Sequence, residues 1–584
     1  MKGEHLMNRT LTGKPSVDRP WMQYYPTEMV EGLRVPESTV CEYLKEQCPG
    51  ESVVAMHYYG TDITWHEVYE QVDKTARALR AIGFGEGDEI PVFLRAVPEF
   101  MYLLLAAEQI GASLLCRDNT IEENVAAVKK SGAKMIFAHD FLSHKNFNAY
   151  RTGAGIRGAV LLSPLHSANR MKIPDYCWNY LDSLYTSHPA YGPCTISWDE
   201  FLKLGEDFEG VVAAPRDINR PLFRAYTSGS TGPSKQVIHS AYTMLAIVQQ
   251  MNFYGASSQF RPTWLMTHLT PALVAVVVSM LLMPLASNKL LILSPFVDVN
   301  DVDLELMRYR PNCWPHIPMF IELVMRNGRV PDDYDLSHLI SAGAGCEAYN
   351  NIQLKRAQKF LDDHNCHVRY TTGYGCSEAG SNMTLPMTAQ PIGNGNVGVP
   401  LPLTDISVFK PGTDKELTYN TVGEICQCGP GTMLGYDDPV ATAKVIKLHS
   451  DGRRWLHTGD IGYMTEDGTI YTLTRGCATR YGGGELATLP MENRLADAEI
   501  EGIDDEFFVI TEDPEHHHCF VPYLFVVLND GYTVDDIKDA VAACLEDYMQ
   551  PVDIIVLPER PFFHYKTNRI GLREDIRNGT FDKN

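Results

Sequence analysis

A chain of 584 residues with 45% hydrophobic and 21% charged side chains is too long for one core and predicts at least two globular domains. Its net charge of −23 argues against non-specific binding to nucleic acid, which needs a basic surface. The 14 cysteines form no C-x-x-C pair, which fits a reducing cytosol better than a disulfide framework.

No apolar core follows Met1, so no signal peptide is expected. The longest apolar stretch, Leu273 to Ala286, is broken by Ser279 and Pro284 and falls short of the roughly 20 residues a membrane span needs. In chain order, the first third alternates helical and strand patterns. Thr64-x-x-Glu67 has the form of a capping box, and Val68, Val72, Ala76 and Leu79 then recur at helical spacing as far as Gly83. A strand over Pro91–Leu94, a helix from Pro98 to Gly111 and a strand over Ser113–Cys116 follow. A helix over Ile121–Ser131 and a strand over Lys134–Ala138 come next. This alternation predicts βαβ units and a mostly parallel sheet.

Residues 140–200, rich in Ser, Tyr, Pro and His, read as irregular. Pattern resumes from Asp217 to about Thr474. After Arg475 a glycine run, Gly482–Gly484, leads into a short β/α module that ends near Arg573. His516-His-His-Cys519 has no second ligand group at finger spacing and reads as a polar loop. The expected architecture is α/β: a large N-terminal domain of parallel-sheet βαβ layers, residues 1–475, and a small, mobile C-terminal α+β domain, residues 476–584.

The most informative segment is Tyr226-Thr-Ser-Gly-Ser-Thr-Gly-Pro-Ser-Lys235, which follows a strand-like run from Leu222. Gly229 and Gly232 let the backbone bring its N–H groups close to an anion. Thr227, Ser228, Ser230 and Thr231 add donors, and Lys235 adds a positive charge, an inventory that suits a polyphosphate. It is not a Walker loop, since no G-x-x-x-x-G-K-[ST] is present. From Ile218 to Val297 there is no Asp or Glu. Buried apolar segments explain part of that gap; a site that must accept polyphosphate and carboxylate together explains the rest, because a nearby acid would repel both.

The loop resembles the phosphate-binding signature of the adenylate-forming superfamily, which includes acyl- and aryl-CoA synthetases. Further elements follow in the family's order: Tyr374-Gly-Cys-Ser-Glu378, Gly423-Glu…Gly-Tyr436, Trp455-Leu-His-Thr-Gly-Asp460 and Arg475. The resemblance implies an acid–thiol ligase that uses ATP, Mg²⁺ and coenzyme A. A carboxylate attacks the α-phosphorus of ATP, and a thiol then displaces AMP, using another face of the small domain. Thr227, Ser228, Gly229, Ser230, Thr231, Gly232 and Lys235 would hold the β- and γ-phosphates. Glu378 would ligate Mg²⁺, Tyr374 would stack on adenine, and Asp460 and Arg475 would reach the ribose.

The family closes with Pro-x-Thr-x-x-Gly-Lys-Ile-x-Arg, whose lysine bridges carboxylate and α-phosphate. Here the chain reads Pro561-Phe-Phe-His-Tyr-Lys-Thr-Asn-Arg-Ile-Gly-Leu-Arg573, and Cys477 stands where the family usually has Asp or Lys. Matching Thr567, Asn568 and Ile570 puts Arg569 on the lysine; a shift of three residues puts Lys566 there. An Arg is not a conservative exchange for that lysine.

On the acyl side the resemblance implies His268 and the small residues Gly343, Ala344 and Gly345 as pocket walls, and the apolar run Leu273–Met283 itself reads as a buried core helix. The acid-free stretch favours an uncharged, largely apolar acid. Coenzyme A is the expected acceptor, with loading of a separate carrier protein, or a nucleotide-binding homologue of weak catalysis, as alternatives.

Overall fold

The computed structural model describes residues 10–26, 31–227, 234–252, 260–563 and 565–581. Two mixed, mostly parallel sheets carry the first two thirds of the chain. In the eight-stranded sheet the order is Gly435–Tyr436, Gln236–Ser240, Pro221–Tyr226, Ser113–Cys116, Glu89–Phe93, Met135–His139, Gly158–Leu162 and Thr195–Ser197. The seven-stranded sheet runs Thr371–Thr372, Ser341–Ala344, Cys313–His316, Thr263–Thr267, Leu290–Ser294, Val54–Tyr58 and Thr61–Thr64. Parallel sheets need cover on both faces. The helix Pro98–Ile110 provides some of it and is almost wholly buried. Pro98 at its first turn presets φ where no N–H partner exists, and Gly111 ends it at φ +78.

The capping box Thr64–Glu67 forms as read, and Val68, Val72, Ala76 and Leu79 all face the core from the helix Trp65–Ala81. Residues 140–200 are a correction, because they are regular. Helices His144–Ala154 and Asp175–Leu184 alternate with the strands Gly158–Leu162 and Thr195–Ser197, which complete the edge of the eight-stranded sheet. The strand Gly158–Leu162 is buried throughout, so its apolar run carries the signal that the polar flanks obscure.

A third, antiparallel sheet contains the strands Gly423–Cys428, Arg454–Met464 and Ile470–Arg475. Apolar side chains from Trp21 to Ile470 form one continuous core. Beyond it, Leu486, Met491, Phe508, Leu524 and Ile537 belong to a separate cluster around a three-stranded sheet. The fold is therefore α/β with a large N-terminal and a small C-terminal domain. Among the described residues, no helix is long and apolar enough to cross a membrane.

Candidate active site

In open α/β sheets ligands bind beyond the carboxyl ends of the strands. Here the strands Ser341–Ala344 and Thr371–Thr372 run parallel and deliver Gly345, Cys346, Gly373 and Tyr374 to the wall of a cavity of about 580 Å³. A second cavity of about 500 Å³ adjoins it, lined by Lys235, Glu378, Tyr436 and Arg475 among others. Thr227, Gly375, Cys376, Ser377 and Lys566 line both, and so mark the joint between them.

The predicted phosphate loop connects the antiparallel strands Pro221–Tyr226 and Gln236–Ser240. Ser228, Gly229, Ser230, Thr231 and Gly232 lie outside the described residues. The base of the loop is tightly closed: Thr227 N–H donates to the Lys235 carbonyl at 2.9 Å, and Lys235 N–H to Thr227 Oγ1 at 3.0 Å. The Lys235 ammonium lies 5.3 Å from the centre of the Tyr436 ring. The Tyr436 hydroxyl in turn donates to Glu378 Oε1 at 2.6 Å. Tyr436 thus ties the lysine and the carboxylate together, a role that its place at the end of a Gly-Tyr motif does not disclose. His239 bonds the Ser377 carbonyl through Nε2 at 2.8 Å and fixes the turn that presents Glu378. Burial pushes this imidazole down to about 4, so it is neutral there.

Asp460 lies within the strand Arg454–Met464, cross-strand from Arg475. Tyr374 donates its hydroxyl to Asp460 Oδ2 at 2.7 Å, and Arg475 Nη1 stands 3.8 Å from Oδ1. Asp460 therefore links Tyr374 on one cavity to Arg475 on the other. Burial raises its carboxyl above the ordinary value, with the Arg475 charge and the Tyr374 hydrogen bond opposing that rise. Gly459, at φ +76, sits at an irregularity within the strand just before it, and its N–H donates to Glu424 Oε1 at 3.1 Å. Glu424 Oε2 pairs with His457 Nδ1 at 2.8 Å, so a buried Glu–His pair supports the backbone just before Asp460.

In the C-terminal motif, where the neighbours Thr567, Asn568 and Ile570 favour Arg569, the structure brings Lys566 rather than Arg569 to the cavities. Lys566 lines the joint of the two cavities, and its charge acts on both Asp460 and Cys346. Arg569 stands apart from both cavities. Its guanidinium donates to Glu347 Oε1 and Glu492 Oε1, each at 2.9 Å, and its Nε to the Phe508 carbonyl at 3.0 Å. Glu347 also accepts from Thr567 N–H at 3.1 Å. Arg569 is thus a clasp that holds the Lys566–Thr567 strand against the large domain. The spacing Lys566-Thr-Asn-Arg569 matches the family's closing Lys-Ile-x-Arg, with Tyr565 where the family has glycine. Tyr565 keeps the glycine conformation, at φ +65.

Gly343, Ala344 and Gly345 line the larger cavity as expected. A Cβ at Gly343 would come within 3.0 Å of Thr371, so a larger residue would crowd the neighbouring strand. His268 does not line either cavity. Its Nδ1 bonds the Val297 carbonyl at 2.8 Å and its ring packs among Tyr180, Phe320 and Tyr565. Tyr180 comes from the segment read as irregular. The apolar run Leu273–Met283 is helical and largely buried, and within it Val276–Leu282 is a π-helix, a form often found at functional sites. Val277, Val278, Leu281 and Leu282 face the core, while Leu273, Val274, Ser279, Met280 and Met283 line the cavity.

The family model described as AMP-binding enzyme matches residues 45–437, and the chain belongs to that family. It is 26% identical over 504 residues to a curated relative, 4-coumarate:CoA ligase 1 of Petunia hybrida, covering 82% of each chain. Two solved structures share the fold. The anthranilate CoA ligase AuaEII in complex with anthranoyl-AMP has a TM-score of 0.77 at 15% identity, covering 94% of this chain and 99% of that one. The o-succinylbenzoate coenzyme A synthetase of Bacillus subtilis, in complex with ATP and magnesium, has a TM-score of 0.70 at 18% identity, covering 91% and 99%.

Proposed function

We propose that this chain is an AMP-forming acid–thiol ligase, which joins a carboxylic acid to ATP as an acyl-adenylate and then passes the acyl group to coenzyme A. The observation that carries this reading is the position of Lys566, where a cavity walled by small residues meets one that holds Lys235, Glu378 and Arg475. A carboxylate oxygen of the acid attacks the α-phosphorus, the bond to the β-phosphate oxygen breaks, and pyrophosphate leaves. In the second step a thiol sulfur attacks the acyl carbon and AMP departs with the bonding electrons.

Positioning and charge neutralisation dominate such chemistry. Lys566 would draw the acid's carboxylate and the α-phosphate together, two anions that otherwise repel. Lys235 and the loop 227–232 would hold the β- and γ-phosphates. Asp460 would accept from the ribose hydroxyls with its two oxygens, and Tyr374 would border the adenine. Glu378 offers the hard oxygen that Mg²⁺ prefers, and the ion would supply charge neutralisation on the phosphates when bound. We place the domain boundary at Arg475–Cys477, where Gly476 takes φ +76 just after the last strand of the large domain.

Pyrophosphate release across a panel of carboxylic acids, with and without coenzyme A, tests the reading. Release with formation of the thioester supports it, release without thioester favours a carrier-protein acceptor, and no release from any acid defeats it. Glu378→Gln should shift the Mg²⁺ midpoint of that activity to higher concentration, because an amide offers a neutral oxygen where the carboxylate offered a charge. A midpoint that stays in place would remove Glu378 from the metal site.

A further inference from the structure

The larger cavity extends from Lys566 along the strand Ser341–Ala344 to the opposite end of the seven-stranded sheet. Register places Thr263 beside Leu290, Trp264 beside Cys313, and Cys313 beside Ser341. Lys289, just before Leu290, therefore sits at the amino ends of these strands, level with Pro262 and one residue before the level of Ile340, while Gly345 and Cys346 lie beyond their carboxyl ends. From Ile340 to Ala344 the wall is about 13 Å long at ~3.3 Å per residue.

Lys289 is only 6% exposed and lines this cavity. Its ammonium donates a hydrogen bond to Ser287 Oγ at 2.6 Å and lies 5.9 Å from the centre of the Trp264 ring. Among the described residues it forms no ion pair with an Asp or Glu, in keeping with the absence of any acid from Ile218 to Val297. The indole N–H of Trp264, a residue that also lines the cavity, is buried with no hydrogen-bond partner among the described residues. The nearby Arg261 adds a second cation, its guanidinium bonded to the carbonyls of Asn288 and Lys289. A buried ammonium without a counter-charge is costly, and an unpaired buried N–H adds to that cost. Burial accordingly holds the Lys289 pKa below the ordinary lysine value.

We infer that the acid taken by this site carries a second anionic group, a carboxylate or a group of like charge, at the end remote from the reacting carboxyl, held by the Lys289 ammonium. The inference rests on the adenylation reading for the reacting end and replaces the uncharged acid expected from the sequence. Between the two charged ends, the walls from Met251, Met280 and Met283 call for an apolar body, aromatic or aliphatic.

Calorimetric titration with two matched pairs tests it: 4-carboxycinnamate against 4-methylcinnamate, and nonanedioate against nonanoate. In at least one pair the wild-type protein should bind the diacid about ten- to a hundredfold tighter than its partner, the worth of a hydrogen bond to a charged group. Lys289→Met should abolish that preference, with ATP binding by the same variant showing that the fold is intact. Equal or weaker binding of both diacids by the wild type, or a preference that survives in Lys289→Met, overturns the inference. Pyrophosphate release read in the same samples keeps the two readings apart. A diacid preference without release upholds the subsite and counts against adenylation. Release from the monoacids alone overturns the subsite and leaves adenylation standing.

Discussion

Replacing Lys566 with alanine should remove most of the adenylation rate while sparing thioester formation from a chemically prepared acyl-adenylate. A cation that meets charge developing on a reacting phosphate is worth about 10²–10³ in rate, and Lys566 is the C-terminal cation lining both cavities. The second half-reaction starts after the acyl–phosphate bond has formed, so it does not need that charge at the same place. Arg569→Ala should cost adenylation less. Arg569 is bound to Glu347, Glu492 and the Phe508 carbonyl, so its loss loosens the Lys566 strand without removing charge from the cleft. Both half-reactions measured in both variants decide the matter. A larger adenylation loss in Arg569→Ala would return the role to that arginine.

Asp460→Ala should raise the KM for ATP about ten- to a hundredfold, the value of a buried hydrogen bond to a charged group. The variant also strips Tyr374 of its acceptor and Arg475 of its counter-charge, so a wall of each cavity loses its anchor. Asp460→Asn keeps the shape and one acceptor oxygen and should fall between wild type and alanine. Thermal melting checks that the sheet persists. An unchanged KM in Asp460→Ala would take the residue out of the site.

Local rules make much of the large domain legible in its sequence. The helix Pro98–Ile110 is bracketed by a proline and a glycine whose backbone preferences begin and end it, and the helix Trp65–Ala81 announces itself through its capping box. The strand Gly158–Leu162 is obscured because a short buried strand has no periodicity and its neighbours are polar. On the site, Asp460 and Arg475 stand out by motif, and the sheet register explains their pairing. Lys566 is harder to assign. It stands five residues after Pro561 where the family lysine stands six after its proline, and a tyrosine at φ +65 replaces the glycine that normally marks the turn. Residue type alone cannot reveal that Tyr565 holds a glycine conformation. Nor can it place Lys289 at the far end of the larger cavity, because that position depends on the parallel register of strands distant in sequence.

The most direct test of the account is the fate of oxygen-18 in the carboxyl group of an acid that the protein turns over. Attack of a carboxylate oxygen on the α-phosphorus must leave one labelled oxygen in the AMP released when the thioester forms, which mass spectrometry of the AMP detects. The account predicts AMP carrying one oxygen-18 per turnover. Unlabelled AMP, or label recovered in inorganic phosphate, would contradict it.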